Sequence, residues 1–340
     1  MTALRIGHHI IRPGERKKIT VDIARLYDFT EMKMPVEVIR GKEEGPTLLV
    51  SAVIHGDEIN GVDIIRRLLR HPATKKIRGT LIAVPIVNVF GFNDKSRYLP
   101  DRRDLNRCFP GDKNGSLGSQ VAYIFRSEIV SKCTHGIDLH TAAFHRRNLP
   151  QIRANLSDPE TLRLAKAFGT SVILNSGVRD GSLREMVQGQ NIPMLLYEGG
   201  AALRFDDTVS RVGLHGILSV MYEIGMLPSL KQPIKRKAEV FVAHSSHWIR
   251  APHSGIFLEK KKLGDKVRKG ELLGQISNPF GDHVLDILAI CDGIVIGKSQ
   301  LPLANEGDAL YHIATFNDVD AVYESVESLE NFDPINIEVR

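Results

Sequence analysis

The sequence predicts an α/β fold, a mixed sheet with helices on both faces, followed by a small all-β barrel near the C-terminus. Three observations carry this expectation. Continuous β-prone runs alternate with amphipathic helical segments up to residue 228. After Pro228 short strands and turns replace helical periodicity. That last segment also contains an internal half-repeat.

The elements follow in order. Residues 1–45 read as short strands and turns, with Pro35–Arg40 alternating as a half-buried strand and a turn over Gly41–Pro46. Thr47–Ile54 is an unbroken β-prone run, the mark of a strand covered on both faces. His55-Gly-Asp-Glu58 comes next, then a helix whose apolar positions Val62, Ile65, Leu68 and Leu69 recur at helical spacing. Thr80–Val87 is a second buried strand, and Asn88–Asn114 is a polar loop rich in Gly and Pro. A helix over Ser119–Lys132 leads to a short strand, Gly136–His140. Helix Pro159–Phe168, strand Thr170–Leu174 and helix Ser182–Gln188 follow, then strand Met194–Glu198 and helix Thr208–Gly225. Pro233–Ala238 reads as a basic linker. Beyond it Ala251–Leu258 parallels Ala289–Ile296, each followed by a turn (Gly270-Glu271, Gly307-Asp308) and an apolar strand. The expected divisions are residues 1–235 with a β lead-in, the barrel at 240–316, and a tail at 317–340 of mixed acidic and apolar residues.

Composition excludes several classes. With 42% hydrophobic and 25% charged residues in 340, the chain is neither disordered, collagen-like nor a coiled coil. The longest nearly apolar run, Leu81–Phe92, contains Pro85 and Asn88 and falls short of the roughly 18 residues a membrane span needs. No secretory signal is visible at the N-terminus. Three widely spaced cysteines argue against a disulfide framework and for the cytoplasm. Lys and Arg outnumber Asp and Glu by 45 to 40, but the basic runs are short, scattered and not interleaved with aromatics. That pattern argues against nucleic acid as a partner.

Three constellations carry chemistry. His55 and Glu58 stand where a buried strand ends, and His140 closes another. Imidazole and carboxylate are zinc ligands, a catalytic zinc site has three of them, and sites in open α/β sheets gather beyond the strands' carboxyl ends. The competing reading has Glu58 favouring a helix N-terminus and His140 as a core histidine. Asp104-Leu-Asn106-Arg107 lies in a long loop with Arg97, Arg102 and Arg103. Guanidinium and amide together can hold a carboxylate, or the stretch is a capped turn with surface arginines. Glu198 ends an apolar strand before Gly199-Gly200, as a desolvated general base or as a surface residue.

Taken in order, His55-Gly-Asp-Glu58, Asp104-Leu-Asn-Arg107, Asp138-Leu-His140 and Tyr197-Glu198-Gly199 resemble the succinylglutamate desuccinylase/aspartoacylase family, a branch of the zinc carboxypeptidase superfamily. The resemblance covers residues 30–230. It implies a carboxypeptidase-like core and one zinc per chain on His55, Glu58 and His140. It also implies Glu198 as general base, Asn106 and Arg107 on the substrate's α-carboxylate, and Asp104 orienting a zinc-bound histidine. Arg97 most resembles the arginine that stabilises the oxyanion, with Arg102 and Arg103 as alternatives. The C-terminal half-repeat resembles lipoyl and biotinyl carrier domains, but Gly281-Asp282-His283 stands where the carrier lysine would be, so the expected barrel is not a carrier. The implied activity is hydrolysis of the amide bond of a small N-acyl amino acid or related acid, a non-peptide linear amide. N-acetyl-diaminobutyrate is one substrate among several that fit. The alternatives are a zinc carboxypeptidase acting on peptides and a non-catalytic binding protein. The implied partner is a small N-acylated molecule bearing a carboxylate, with no nucleic acid and no membrane, and by family habit a second copy in a homodimer.

Overall fold

The computed structural model describes residues 2–228 and 239–330, so the linker expected at Pro233–Ala238 and the end of the tail lie outside the described residues. A 13-stranded mixed sheet runs through the molecule. Thr47–Ala52 lies between Thr80–Val84 and His135–His140, parallel to both, and Met194–Ala201 adds to His135–His140, again parallel. Glu31–Arg40 and Arg16–Arg25 extend one side antiparallel, and Arg146–Ala154 extends the other.

Both faces of the central strands are covered, which is why those runs are apolar throughout. Leu48, Val50 and Ala52 enter one core with Leu81 and Ala83, while Leu49, Ile82 and Val84 enter the other. Helices Asn60–Arg70, Pro159–Phe168 and Asp207–Glu223 cover the first face through Ile64, Leu164 and Ile217. Leu117–Glu128 and Leu183–Gln188 cover the second through Phe125 and Val187. Asp158, Ser116, Ser182 and Asp206 cap four of these helices, each side chain accepting a bond from a backbone N–H three residues on.

Two stretches differ from the sequence expectation. The loop expected over Asn88–Asn114 holds a short helix, Val89–Asp94, capped by Asn88, and a 3₁₀ turn, Leu105–Arg107, capped by Asp104. Both are too short to show a period. The strand Arg146–Ala154 is not expected at all, because it opens on Arg146-Arg147-Asn148 and contains Pro150. Its register with Met194–Ala201 shifts between Glu198 and Gly200, alongside Pro150, and a bulge is where a sheet tolerates proline.

The C-terminal segment has its own core, with Ile249, Phe257, Leu273, Tyr311 and Ile313 among its members. Strand Gly293–Ser299 pairs with Arg146–Ala154, so the main sheet continues into this segment. A separate four-stranded sheet is formed by Leu285–Leu288, Leu272–Ser277, Gly255–Glu259 and Leu303–Ala304. The half-repeat is visible in its turns: Gly270 and Gly307 both sit at φ +84°, where a side chain would be strained. Helix Val319–Glu330 buries Val319, Val322 and Val326 in a core that includes Leu149 and Val172. No described helix is long and apolar enough to cross a membrane, and the three cysteines are free.

One buried group makes this C-terminal packing pH-sensitive. His312 is 3% exposed, with its ring stacked on Trp248 at 4.2 Å. Burial, and then the charges of Arg153 and His247, push its pKa from 6.5 down to about 3. The folded protein therefore holds it neutral while the unfolded chain takes up a proton below pH 6.5. Its contribution is fully present above 6.5 and is lost as pH falls towards about 3. The fall in melting temperature between pH 7 and pH 4 should be shallower in His312→Phe, which keeps the stacking, than in the wild type. Equal slopes in scanning fluorimetry would contradict this.

Candidate active site

The His55–Glu58 turn follows the Thr47–Ala52 strand and presses on helix Val89–Asp94. A Cβ at Gly56 would lie 2.0 Å from the carbonyl carbon of Gly91, so glycine is required. The Glu58 amide donates to the His55 carbonyl at 3.1 Å, closing the turn. The following helix has Ile59 at its N-cap and no side-chain cap bond, so Glu58 does not serve as a cap. His140 ends the adjacent parallel strand, and Glu198 lies opposite His140 in register on the next. Three neighbouring strands thus deliver their polar ends to one place.

The donor atoms of His55, Glu58 and His140 lie within 4.8 Å of one another, and all three side chains are buried. Glu58 bridges the two rings: Oε1 is 2.8 Å from His55 Nδ1, and Oε2 is 2.7 Å from His140 Nδ1. Each ring turns its other nitrogen to an acid. His55 Nε2 is 3.1 Å from Asp104 Oδ1, and His140 Nε2 is 2.7 Å from Asp138 Oδ2. Asp138 accepts in turn from Ser51 Oγ at 2.8 Å, and Asp104 from the Asn106 amide at 2.8 Å. Carboxylates behind the imidazoles fix ring orientation and make the facing nitrogens better donors to a metal. Among the described residues this trio is the group that could hold a metal ion, and the buried His55 Nδ1 has no aligned hydrogen bond. Two imidazoles and one carboxylate are the donor set of a catalytic zinc site.

The electrostatics are tightly coupled. Burial disfavours charge on Glu58, but the two histidines outweigh it and hold its carboxyl well below the ordinary range. Burial likewise opposes the charged form of His140, and Asp138 and Glu58 overcome it and raise its pKa. Asp104 is also partly desolvated, yet His55 and Arg97 keep it ionised.

The trio opens on a cavity of about 340 Å³ that Arg97, Asn106, Arg107 and Glu198 also line. Arg97 donates to Glu58 and to Asp104, both at 3.0 Å. Arg102 and Arg103 are exposed and do not line this cavity. Asn106 is oriented by its Oδ1, which accepts from the Leu183 amide at 2.9 Å. Glu198 Oε2 lies 2.8 Å from Arg153 Nε.

Several lining residues carry no sequence motif. Arg153 belongs to the unexpected strand, Arg179 and Arg184 to the loop and helix after it, and Trp248 and Arg250 to the C-terminal segment. Asp138 behind His140 was also missed, although two residues apart on a strand the side chains share a face.

Comparison with known proteins places these residues in a family context. A model of the succinylglutamate desuccinylase/aspartoacylase catalytic domain matches residues 44–224, a span that holds every cavity residue expected from the sequence. The N-alpha-acetyl-L-2,4-diaminobutyric acid deacetylase of Halomonas elongata is 25% identical over 293 residues, 83% of this chain and 85% of that protein. A succinylglutamate desuccinylase of Pseudomonas aeruginosa is 29% identical over 143 residues, 38% of this chain and 41% of that protein. The crystal structure of a succinylglutamate desuccinylase/aspartoacylase from Rhodobacter sphaeroides matches with a TM-score of 0.79 and 26% identity, covering 90% of this chain and 97% of that one.

The acids behind the rings generate a prediction. Asp104→Asn and Asp138→Asn should each weaken zinc affinity by about 10–100-fold, read by chelator competition. Unchanged affinity in both variants would show that these acids do not support the donors.

Proposed function

Because the chain belongs to the succinylglutamate desuccinylase/aspartoacylase family, we propose that it is a zinc-dependent deacylase that hydrolyses the amide bond of a small N-acyl amino acid or related acid. The observation that carries this reading is the buried His55–Glu58–His140 trio, with Glu198 in register beside it and arginines around it in one cavity. The named activities of the Halomonas and Pseudomonas relatives, both on N-acylated amino acids, support the same class.

An amide is a poor electrophile with a poor leaving group. The chemistry that zinc supplies is Lewis acidity, which makes the carbonyl more electrophilic and water more acidic. His55, Glu58 and His140 would hold the ion, with Asp104 and Asp138 keeping the two rings turned towards it. Glu198 would take the proton of the attacking water and return it to the departing amine nitrogen. Arg97, which lines the cavity where Arg102 and Arg103 do not, is the candidate to balance charge developing on the carbonyl oxygen. Asn106 and Arg107 would fix the substrate carboxylate and so set the scissile bond against the reacting groups.

We read the C-terminal segment as a barrel at 240–316 that walls the cleft. Trp248, Arg250 and Ala309 reach the cavity from it, and the modest volume they help enclose favours a small substrate over a long peptide. The free cysteines are in keeping with a cytoplasmic enzyme.

Glu198→Gln should cut hydrolysis of N-acyl amino acids by about 10²–10⁴-fold while elemental analysis still finds zinc. Full activity in that variant would remove Glu198 from the mechanism.

A further inference from the structure

Strand Arg146–Ala154 lies between Met194–Ala201 and Val172–Asn175, and it places Gln151 level with Glu198 on one side and with Val172 on the other. Side chains paired in register share a face of the sheet, so these three stand in one row. Leu149, two residues before Gln151, is buried in a core with Val172 and Leu174, and Arg153, two residues after it, lines the cavity. Gln151 thus marks the boundary between an apolar core and the cleft. It is fully buried, and neither its Oε1 nor its Nε2 has a hydrogen-bond partner among the described residues.

A buried amide with both ends unpaired is costly, and leucine or methionine would suit a row beside Leu149 and Val172 better. Glutamine at this place therefore calls for a function. Of its two neighbours in the row, Glu198 is the one able to accept from it. Cβ atoms of an in-register antiparallel pair stand about 4.5–5.5 Å apart, within reach of a glutamine side chain. Glu198 in turn has no aligned hydrogen bond at its buried Oε2, and its contact with Arg153 is one of charge. The register shift between Glu198 and Gly200 bends the strand here, and such bulges re-aim side chains beside active sites. A carboxylate acting as a base has two oxygens. One must face the water, and the other must be held.

We propose that Gln151 is a positioning residue for Glu198: its side-chain amide donates to one carboxylate oxygen and leaves the other free to take the proton of the attacking water. The inference rests on Glu198 being the general base. A neutral N–H suits this task. It fixes the direction of the carboxylate without adding a full positive charge, which would hold the ionised form too firmly to accept a proton. Gln151 does not line the cavity, so it reaches the reaction only through Glu198. The buried amide is then a cost in stability that the site requires.

The test compares the zinc-loaded whole chain with Gln151→Met and Gln151→Asn in two readouts, turnover of N-acetyl, N-succinyl and N-formyl amino acids and melting temperature. Methionine matches glutamine in length and has no N–H to donate. Gln151→Met should lower kcat by about tenfold or more, leave KM and the zinc content unchanged, and raise the melting temperature by about 1–3 °C, because an unpaired amide has gone. Asparagine keeps the donor on a shorter stem and opens space in the row. Gln151→Asn should therefore retain more kcat than Gln151→Met and yet melt below both it and the wild type. A residue that only packs would rank activity and stability together. Wild-type kcat in Gln151→Met, or kcat that follows melting temperature across the three proteins, would overturn the proposal. A wild type inactive on every substrate would overturn the deacylase reading, and a melting temperature still raised in Gln151→Met would then keep Gln151 as a residue held against stability.

Discussion

A single buried carboxylate organises this molecule. Glu58 lies between two imidazoles, with an oxygen 2.8 Å from one and 2.7 Å from the other, and is almost wholly removed from water. An ionised group in that position is tolerated only if opposite charge and hydrogen bonds surround it. The fold meets that demand in layers. His55 and His140 face Glu58, Asp104 and Asp138 face the histidines, and Arg97, Ser51 and the Asn106 amide face those acids. The parallel register of neighbouring strands and the backbone contact at Gly56 are what make the layers converge. The same network that satisfies buried charge also presents two ring nitrogens and a carboxylate to one point, which is a site for a cation.

The rest of the cleft inverts the charge balance. Around the His55–Glu58–His140 trio stand arginines drawn from two loops, a 3₁₀ turn, a helix, the Arg146–Ala154 strand and the C-terminal segment. Such a cavity focuses field on an anionic ligand. A carboxylate-bearing amide would meet a Lewis-acid site on one side and guanidinium groups on the other. The continuity of the main sheet into Gly293–Ser299 explains how the C-terminal segment comes to supply part of that wall.

The core of this arrangement was legible in the sequence because it sits at strand ends. Buried strands announce themselves as apolar runs, and ionisable residues at their ends stand out, as His55, Glu58, His140 and Glu198 do. Asp104, Asn106 and Arg107 could be paired with that site only through the resemblance of four ordered motifs, since a loop residue has no period to place it. Arg184, Trp248 and Arg250 were not legible, and for Arg153, which follows His140 in the chain, a pocket position and a surface one stood equally open. Each reaches the cavity through tertiary pairing, such as the Arg146–Ala154 strand lying against both Met194–Ala201 and Gly293–Ser299. Its proline and arginines disguise it as a loop, and only the neighbouring strands reveal it.

The proposed deacylase activity depends on one metal ion held by His55, Glu58 and His140. The most direct test is to strip the protein with a chelator and titrate zinc back while following hydrolysis of N-acyl amino acids. Activity should be absent at the start, rise in proportion to added zinc, and break at one equivalent per chain. Activity that survives complete removal of metal, or that never appears when the site is filled, would contradict the account.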